Sequence, residues 1–172
     1  MINSKGFTLI ELIVVIILIA ILAVSVAPKF DGTSGYEAHT HRAQLISALR
    51  LTQQRAMQQT NSTDGYCHEI VFDDVESRYG IPNRVDCTET NPVFLPSWQA
   101  DATGHTVDSR YQITFNIDGL PNPQTVGFDW MGRPTESCSG GCEINVSQAE
   151  GQTLKIYIEE EGYINVFTEL HP

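Results

Sequence analysis

The chain opens with an apolar run from Phe7 to Ala27, built from Ile, Leu, Val and Ala and interrupted only by Thr8, Glu11 and Ser25. At roughly 1.5 Å per helical residue it is long enough to cross a bilayer core of about 30 Å. Pro28 marks a break or kink, and Asp31-Gly32-Thr33-Ser34-Gly35 reads as a loop-like interruption. From Tyr36 to about Gln59 a helical period returns. Ala38, Leu45, Leu49, Thr52 and Ala56 form one stripe, Ile46 and Met57 widen it, and Arg, Gln and His fill the other side. Asn61 to Gly65 ends this second helix. Its apolar face needs a partner, and the rest of the chain supplies strand patterns: Cys67–Phe72, Arg110–Ile117, Thr125–Trp130, Cys142–Ser147, Thr153–Glu159 and Tyr163–Phe167. Tyr111, Ile113, Phe115 and Ile117 alternate with polar residues. Asp118-Gly119 and Glu161-Gly162 read as hairpin turns. Pro82 to Thr106 has little periodicity and is expected to be a long loop or a short lateral strand pair, held at its base by Cys87. The expected fold class is α+β: a long N-terminal helix, apolar in its first half and amphipathic in its second, packed on an antiparallel sheet. The expected divisions are residues 1–6, 7–27, 28–65 and 66–172.

Charge and cysteine content narrow the function. The 172 residues carry a formal net charge of -11, and Lys5 and Glu11 cancel, so all of it lies beyond the apolar run. Such a surface repels phosphate backbones and argues against broad nucleic-acid binding. Arg42, Arg50 and Arg55 on the second helix read as a solvated face. The four cysteines, Cys67, Cys87, Cys138 and Cys142, suggest two disulfides with three possible pairings. Cys67–Cys87 and Cys138–Cys142 are preferred because each closes a local loop, the second across Ser-Gly-Gly. A zinc site is disfavoured by the spacing. His39 and His41 point to different sides of a helix and are expected on the surface. Asp73, Asp74 and Glu76 lack the pattern of a calcium loop, and Glu159 to Glu161 read as a solvated run. No set of residues suggests an enzyme, a cofactor or a metal.

The residues before the apolar run decide between a removable signal and a retained anchor. Met1 to Gly6 is a short polar leader with one charge, Lys5, whereas a secretory signal would have a longer basic head, a shorter apolar stretch and a cut after it; here the possible cut lies before the apolar stretch. Lys5-Gly6-Phe7-Thr8-Leu9-Ile10-Glu11 resembles the processing site of type IV pilins and type II secretion pseudopilins. The resemblance covers about the first thirty residues. It implies that a prepilin peptidase cuts after Gly6 and methylates the new N-terminal Phe7. It also implies that Glu11 pairs with a neighbour's freed α-amino group during assembly, and that Pro28 is the family's helix kink. The chain is then expected to be an inner-membrane protein with its C-terminal domain in the periplasm of a Gram-negative cell, later part of a pilus or a periplasmic pseudopilus. Lys5 favours that orientation and Lys29 opposes it. A carboxylate at Glu11 costs several kcal/mol in an apolar span unless it is paired or reaches water.

A second resemblance is looser. Phe115 to Pro121 and Phe128 to Pro134 share Phe-x-x-x-Gly-x-Pro, which reads first as two strands ending in glycine turns. Phe128 to Pro134, the following cysteine loop and the last hairpin together resemble minor pseudopilins of the H type. Among pilus systems, the minor pilins of the mannose-sensitive haemagglutinin pilus look most similar. The implied role is a minor structural subunit that primes or caps a fibre. Its partners are other pilin subunits, the prepilin peptidase, the assembly platform and the inner membrane. Rival readings are a major pilin, a secretion pseudopilin, and a tip adhesin or DNA-uptake subunit.

Overall fold

The computed structural model describes residues 8–26, 34–59, 68–82, 93–120, 124–149 and 151–166. The chain divides into two compact units, residues 1–33 and 34–172. The first contains helix α1, Leu9–Val26. It holds no glycine or proline, and its start is fixed by Thr8, whose hydroxyl accepts from the Glu11 N–H at 3.3 Å while its carbonyl accepts from Leu12 N–H at 3.2 Å. Among the described residues no helix is long and apolar enough to cross a membrane. The 18 residues of α1 rise ~27 Å, a few ångströms under a core of about 30 Å.

The second unit opens with α2, Ser34–Gln58. Its first two residues, Ser34 and Gly35, are helical, so the expected interruption stops short of them; Asp31 to Thr33 and Pro28 lie outside the described residues. Glu37 in the first turn and Arg55 in the last complement the helix dipole. One stripe is buried: Ala38, His41, Leu45, Ala48, Leu49, Thr52 and Ala56. Ile46 packs at its margin, but Met57 is 52% exposed rather than part of the face.

Among the described residues nine strands follow: β1 Glu69–Asp73, β2 Arg78–Gly80, β3 His105–Thr106, β4 Ile113–Ile117, β5 Gln124–Phe128, β6 Pro134–Glu136, β7 Cys142–Gln148, β8 Leu154–Ile158 and β9 Ile164–Asn165. They form two antiparallel sheets where the sequence suggested one, in the orders β3-β2-β1-β5-β6 and β4-β7-β8-β9. The division falls after Asp118-Gly119. That pair does turn the chain, with Leu120 N–H donating to Ile117 O, but the next strand, β5, joins β1 instead of folding back on β4. In place of a hairpin, the buried Gln124 side chain caps the end of β4. Its oxygen accepts from Ile117 N–H and its amide donates to Ile117 O and Leu120 O. By contrast Glu161-Gly162 does join a hairpin, β8 to β9, as its sequence suggests.

α2 packs across both sheets, against β7 and β8 of one and β1 and β5 of the other. Alternation supplies the facing side chains: Ile113, Phe115 and Ile117 point inward from β4, Ile144 and Val146 from β7, and Leu154, Ile156 and Ile158 from β8. Tyr79 of β2 meets Phe115 edge-on at 5.1 Å, and Phe72 of β1 lies 6.5 Å from the same ring, so aromatic contacts tie the sheets together. The segment from Val93 to Thr106 is not a bare loop. Trp98 donates to Ile81 O at 2.9 Å and lies over Gly80 and Gly104, leaving no room there for a side chain. Its end, β3, pairs with β2. The cysteine expected at the base of that loop, Cys87, lies outside the described residues.

Candidate functional site

Two features could carry function: the apolar helix α1 and the cluster of groups at the two ends of α2. On α1 every described side chain is exposed, the large apolar ones from 38% at Ile13 to 76% at Leu9. Among the described side chains there is no polar face. Apolar residues point in all directions, which in water is an unfavourable surface and in lipid or a helix bundle a favourable one. Glu11 is the one carboxylate on the helix. Thr8-Leu9-Ile10-Glu11 has the spacing of a capping box, and half of it is formed, because Glu11 N–H reaches the Thr8 hydroxyl. An acid in the first turn also complements the positive end of the dipole. Thr8 therefore has a local role that the sequence reading passed over, and Glu11 has a local reason to sit where it does besides any pairing between subunits. Gly6 and Phe7 lie outside the described residues.

The cysteine reading divides in the same way. Cys138 and Cys142 are disulfide-bonded, with Cα atoms 5.0 Å apart. Gly140 and Gly141 both take positive φ inside this loop, and a side chain at Gly141 would strike the Ile158 carbonyl. The bridge thus closes the turn from β6 to β7 against the end of β8. Cys67, proposed to bond Cys87, also lies outside the described residues.

The histidines correct an expectation. His39 is exposed, but His41 is 6% exposed. Three- and four-residue steps carry the core stripe from Ala38 through His41 to Leu45, so alternating residues of a helix do not share a fate. His41 contacts the rings of His105, at 5.3 Å, and Tyr111, at 6.1 Å. Its Nδ1 lies 3.3 Å from Gln44 Oε1 and its Nε2 3.8 Å from a Glu37 carboxylate oxygen. Burial, and then the neighbouring His41, hold His105 below the ordinary imidazole value. His68, beside the C-terminal end of α2, is lowered by burial and then by Arg55. Two open clefts of about 490 Å³ lie along α2, one bordered by Arg55, Gln58, Gln59 and His68, the other by its exposed face from Tyr36 to Ser47. Among the described residues no three His, Cys, Asp or Glu side chains are grouped to hold a metal ion.

The apolar N-terminal segment is the feature to place among known proteins. Residues 1–27 match the prokaryotic N-terminal methylation motif. The chain carries the signature of prepilin-type proteins. No curated protein matches the chain. Two crystal structures of the type IV minor pilin FimU of Pseudomonas aeruginosa (strain PAO1) are similar in outline. The first shares 12% identity over 75% of this chain and 91% of that one, with a TM-score of 0.49. The second shares 14% over 75% and 92%, with a TM-score of 0.41. At these values no residue-level correspondence follows.

Proposed function

We propose that this chain is a minor structural subunit of a type IV pilus or a related fibre, processed and methylated at its N-terminus. The observation that carries the reading is the prepilin-type motif over residues 1–27, joined to a helix that exposes apolar side chains on all sides. Such a helix is stabilised by lipid before assembly and by other N-terminal helices afterwards, at roughly 25 cal/mol per Å² of apolar surface removed from water. Cleavage after Gly6 leaves Phe7 as a new, methylated N-terminus. Glu11, in the first turn of α1, neutralises that positive charge on a neighbouring subunit. The segment from Phe7 to Ala27 crosses the inner membrane once, with the sheet domain in the periplasm. A priming or capping role, and kinship with H-type minor pseudopilins, are the finer parts of this reading.

The test is mass spectrometry of the N-terminal peptide from cells with and without active prepilin peptidase. A methylated peptide beginning at Phe7, present only with the peptidase, supports the reading. A chain that keeps residues 1–6 in both refutes it. Glu11→Ala is then expected to be processed and inserted normally but to enter fibres poorly; normal incorporation removes the pairing role and leaves Glu11 as a capping residue.

A further inference from the structure

Two glycine turns from distant parts of the chain meet over one glutamine of α2. Gln53 Nε2 donates to Gly132 O and to Gly162 O, each at 2.7 Å. The turns touch there: a side chain at Gly162 would collide with the Gly132 carbonyl, and one at Gly132 would come within 2.9 Å of Met57 Sδ. Each turn is also braced internally. Asp129 accepts from the Met131 and Arg133 N–H groups, both at 2.9 Å, and pairs with the Arg133 guanidinium at 2.8 Å. Glu159 N–H donates to Tyr163 O, Gly162 N–H donates to Glu159 O, and Asn165 donates to the Glu159 carboxylate.

This rigid junction carries large side chains into solvent. Trp130 is 72% exposed, Tyr163 64%, Met57 52% and Met131 50%. Single exposed apolar residues are ordinary, but four around one contact point form a patch of the kind that marks an interaction surface. Trp and Tyr dominate binding energy at protein interfaces, and braced turns present them at little cost in conformational entropy.

The charge around the patch selects the occupant. Glu160 and Glu161 stand exposed at the tip of the second turn. Of the cations nearby, Arg133 is paired with Asp129, and Arg50, which keeps its charge, donates to Ile164 O beneath the second turn. A second copy placed patch to patch would bring the same acidic rim against the first, and in any placement it carries a net charge of -11. Anionic lipid and nucleic acid are repelled for the same reason.

We propose that Met57, Trp130, Met131 and Tyr163, edged by Glu160 and Glu161, dock a lysine- or arginine-bearing surface of a different protein chain. In the setting of the function proposed above, on which this inference rests, that chain is a neighbouring fibre subunit. The contact is then between unlike chains, so this chain sits beside a subunit different from itself.

A benzophenone amino acid at Met131 of the full-length chain, photolysed in its own cells, tests this. The expected result is one dominant adduct on a basic surface peptide of another chain. Its yield should fall about threefold or more in E160Q/E161Q and in Trp130→Ala, with near-ultraviolet circular dichroism showing both variants folded. Adducts to a second copy, adducts to lipid, no adduct, or an adduct insensitive to both variants would overturn it. Shearing the cells separates this from the function proposed above. A chain that enters fibres without the adduct overturns the docking surface alone. An adduct in a chain that never leaves the membrane fraction overturns the fibre reading alone.

Discussion

α1 and α2 are both helices of a single chain, yet hydrophobicity and burial run in opposite directions between them. α2 has the more polar sequence, and its Leu45 and Leu49 are fully buried. α1 is nearly all apolar, and its Ile16 is 55% exposed. Burial within the chain follows pattern, not greasiness. Polar residues on one side of α2 leave a single stripe that two sheets can cover. α1 has no polar side, so one sheet face cannot satisfy it; it needs apolar surroundings on every side.

The contrast can be broken most strongly at Leu49. Leu49→Ala is expected to cost the sheet domain about 2–5 kcal/mol, read by urea denaturation of the full chain in detergent. Ile16→Ala in α1 is expected to leave that transition within about 0.5 kcal/mol of the parent, while reducing fibre incorporation. Equal loss from both would mean that α1 also belongs to the domain core.

The junction at the C-terminal half of α2 gives the next effect. Gly162 has φ of +87° and its neighbour is the Gly132 carbonyl. Gly162→Ala therefore combines backbone strain with a collision and is expected to cost about 1–3 kcal/mol, measured the same way. A neutral result would show that the two turns part easily.

The disulfide sharpens the comparison from another side. Cys138 and Cys142 are four residues apart in sequence, and so short a loop is expected to contribute about 2 kcal/mol. Reduction should lower the urea midpoint of the sheet domain and leave the helicity of α1 unchanged by circular dichroism.

The smallest effect is one of pH. Burial, and then Glu136, raise the Glu69 carboxyl above its ordinary value. The fold therefore favours its neutral form; the contribution is present below the unfolded value of 4.5 and lost as pH rises through the folded one. Glu69→Gln should stabilise the domain at neutral pH, with the gain vanishing in acid. His68 and His105 run the other way. Their folded values are lowered, so their contribution is present above 6.5 and lost as pH falls through the folded ones. The Glu69 effect must accordingly be read as variant minus parent at each pH. A gain that grows on acidification would contradict the assignment.

Much of this was legible in the sequence because it rests on local pattern. The α+β class, the Leu45–Leu49–Thr52–Ala56 stripe, strands β4, β5, β7 and β8, the last hairpin and the Cys138–Cys142 loop all follow from periodicity and turn residues. What escaped depends on contacts distant in sequence. β2 and β6 are three residues each, and β6 begins with Pro134, which suits a sheet edge but gives no alternating signal. The split into two sheets depends on a glutamine side chain standing in for a hairpin. His41 is buried by ring neighbours from β3 and from the Ser109–Tyr111 turn, which no local rule places beside it. At the N-terminus the case reverses: Lys5 to Glu11 lies in the matched N-terminal methylation motif and is readable by residue type alone, while Gly6, Phe7 and Pro28 lie outside the described residues.

The central claim is that α1 finds its apolar surroundings in an assembly of other chains, in which this one is scarce. Quantitative mass spectrometry of sheared, purified fibres tests it most directly, counting this chain against the most abundant subunit. A trace amount, beginning at methylated Phe7, is expected. Complete absence from the fibres, or a chain that dominates them, would contradict it.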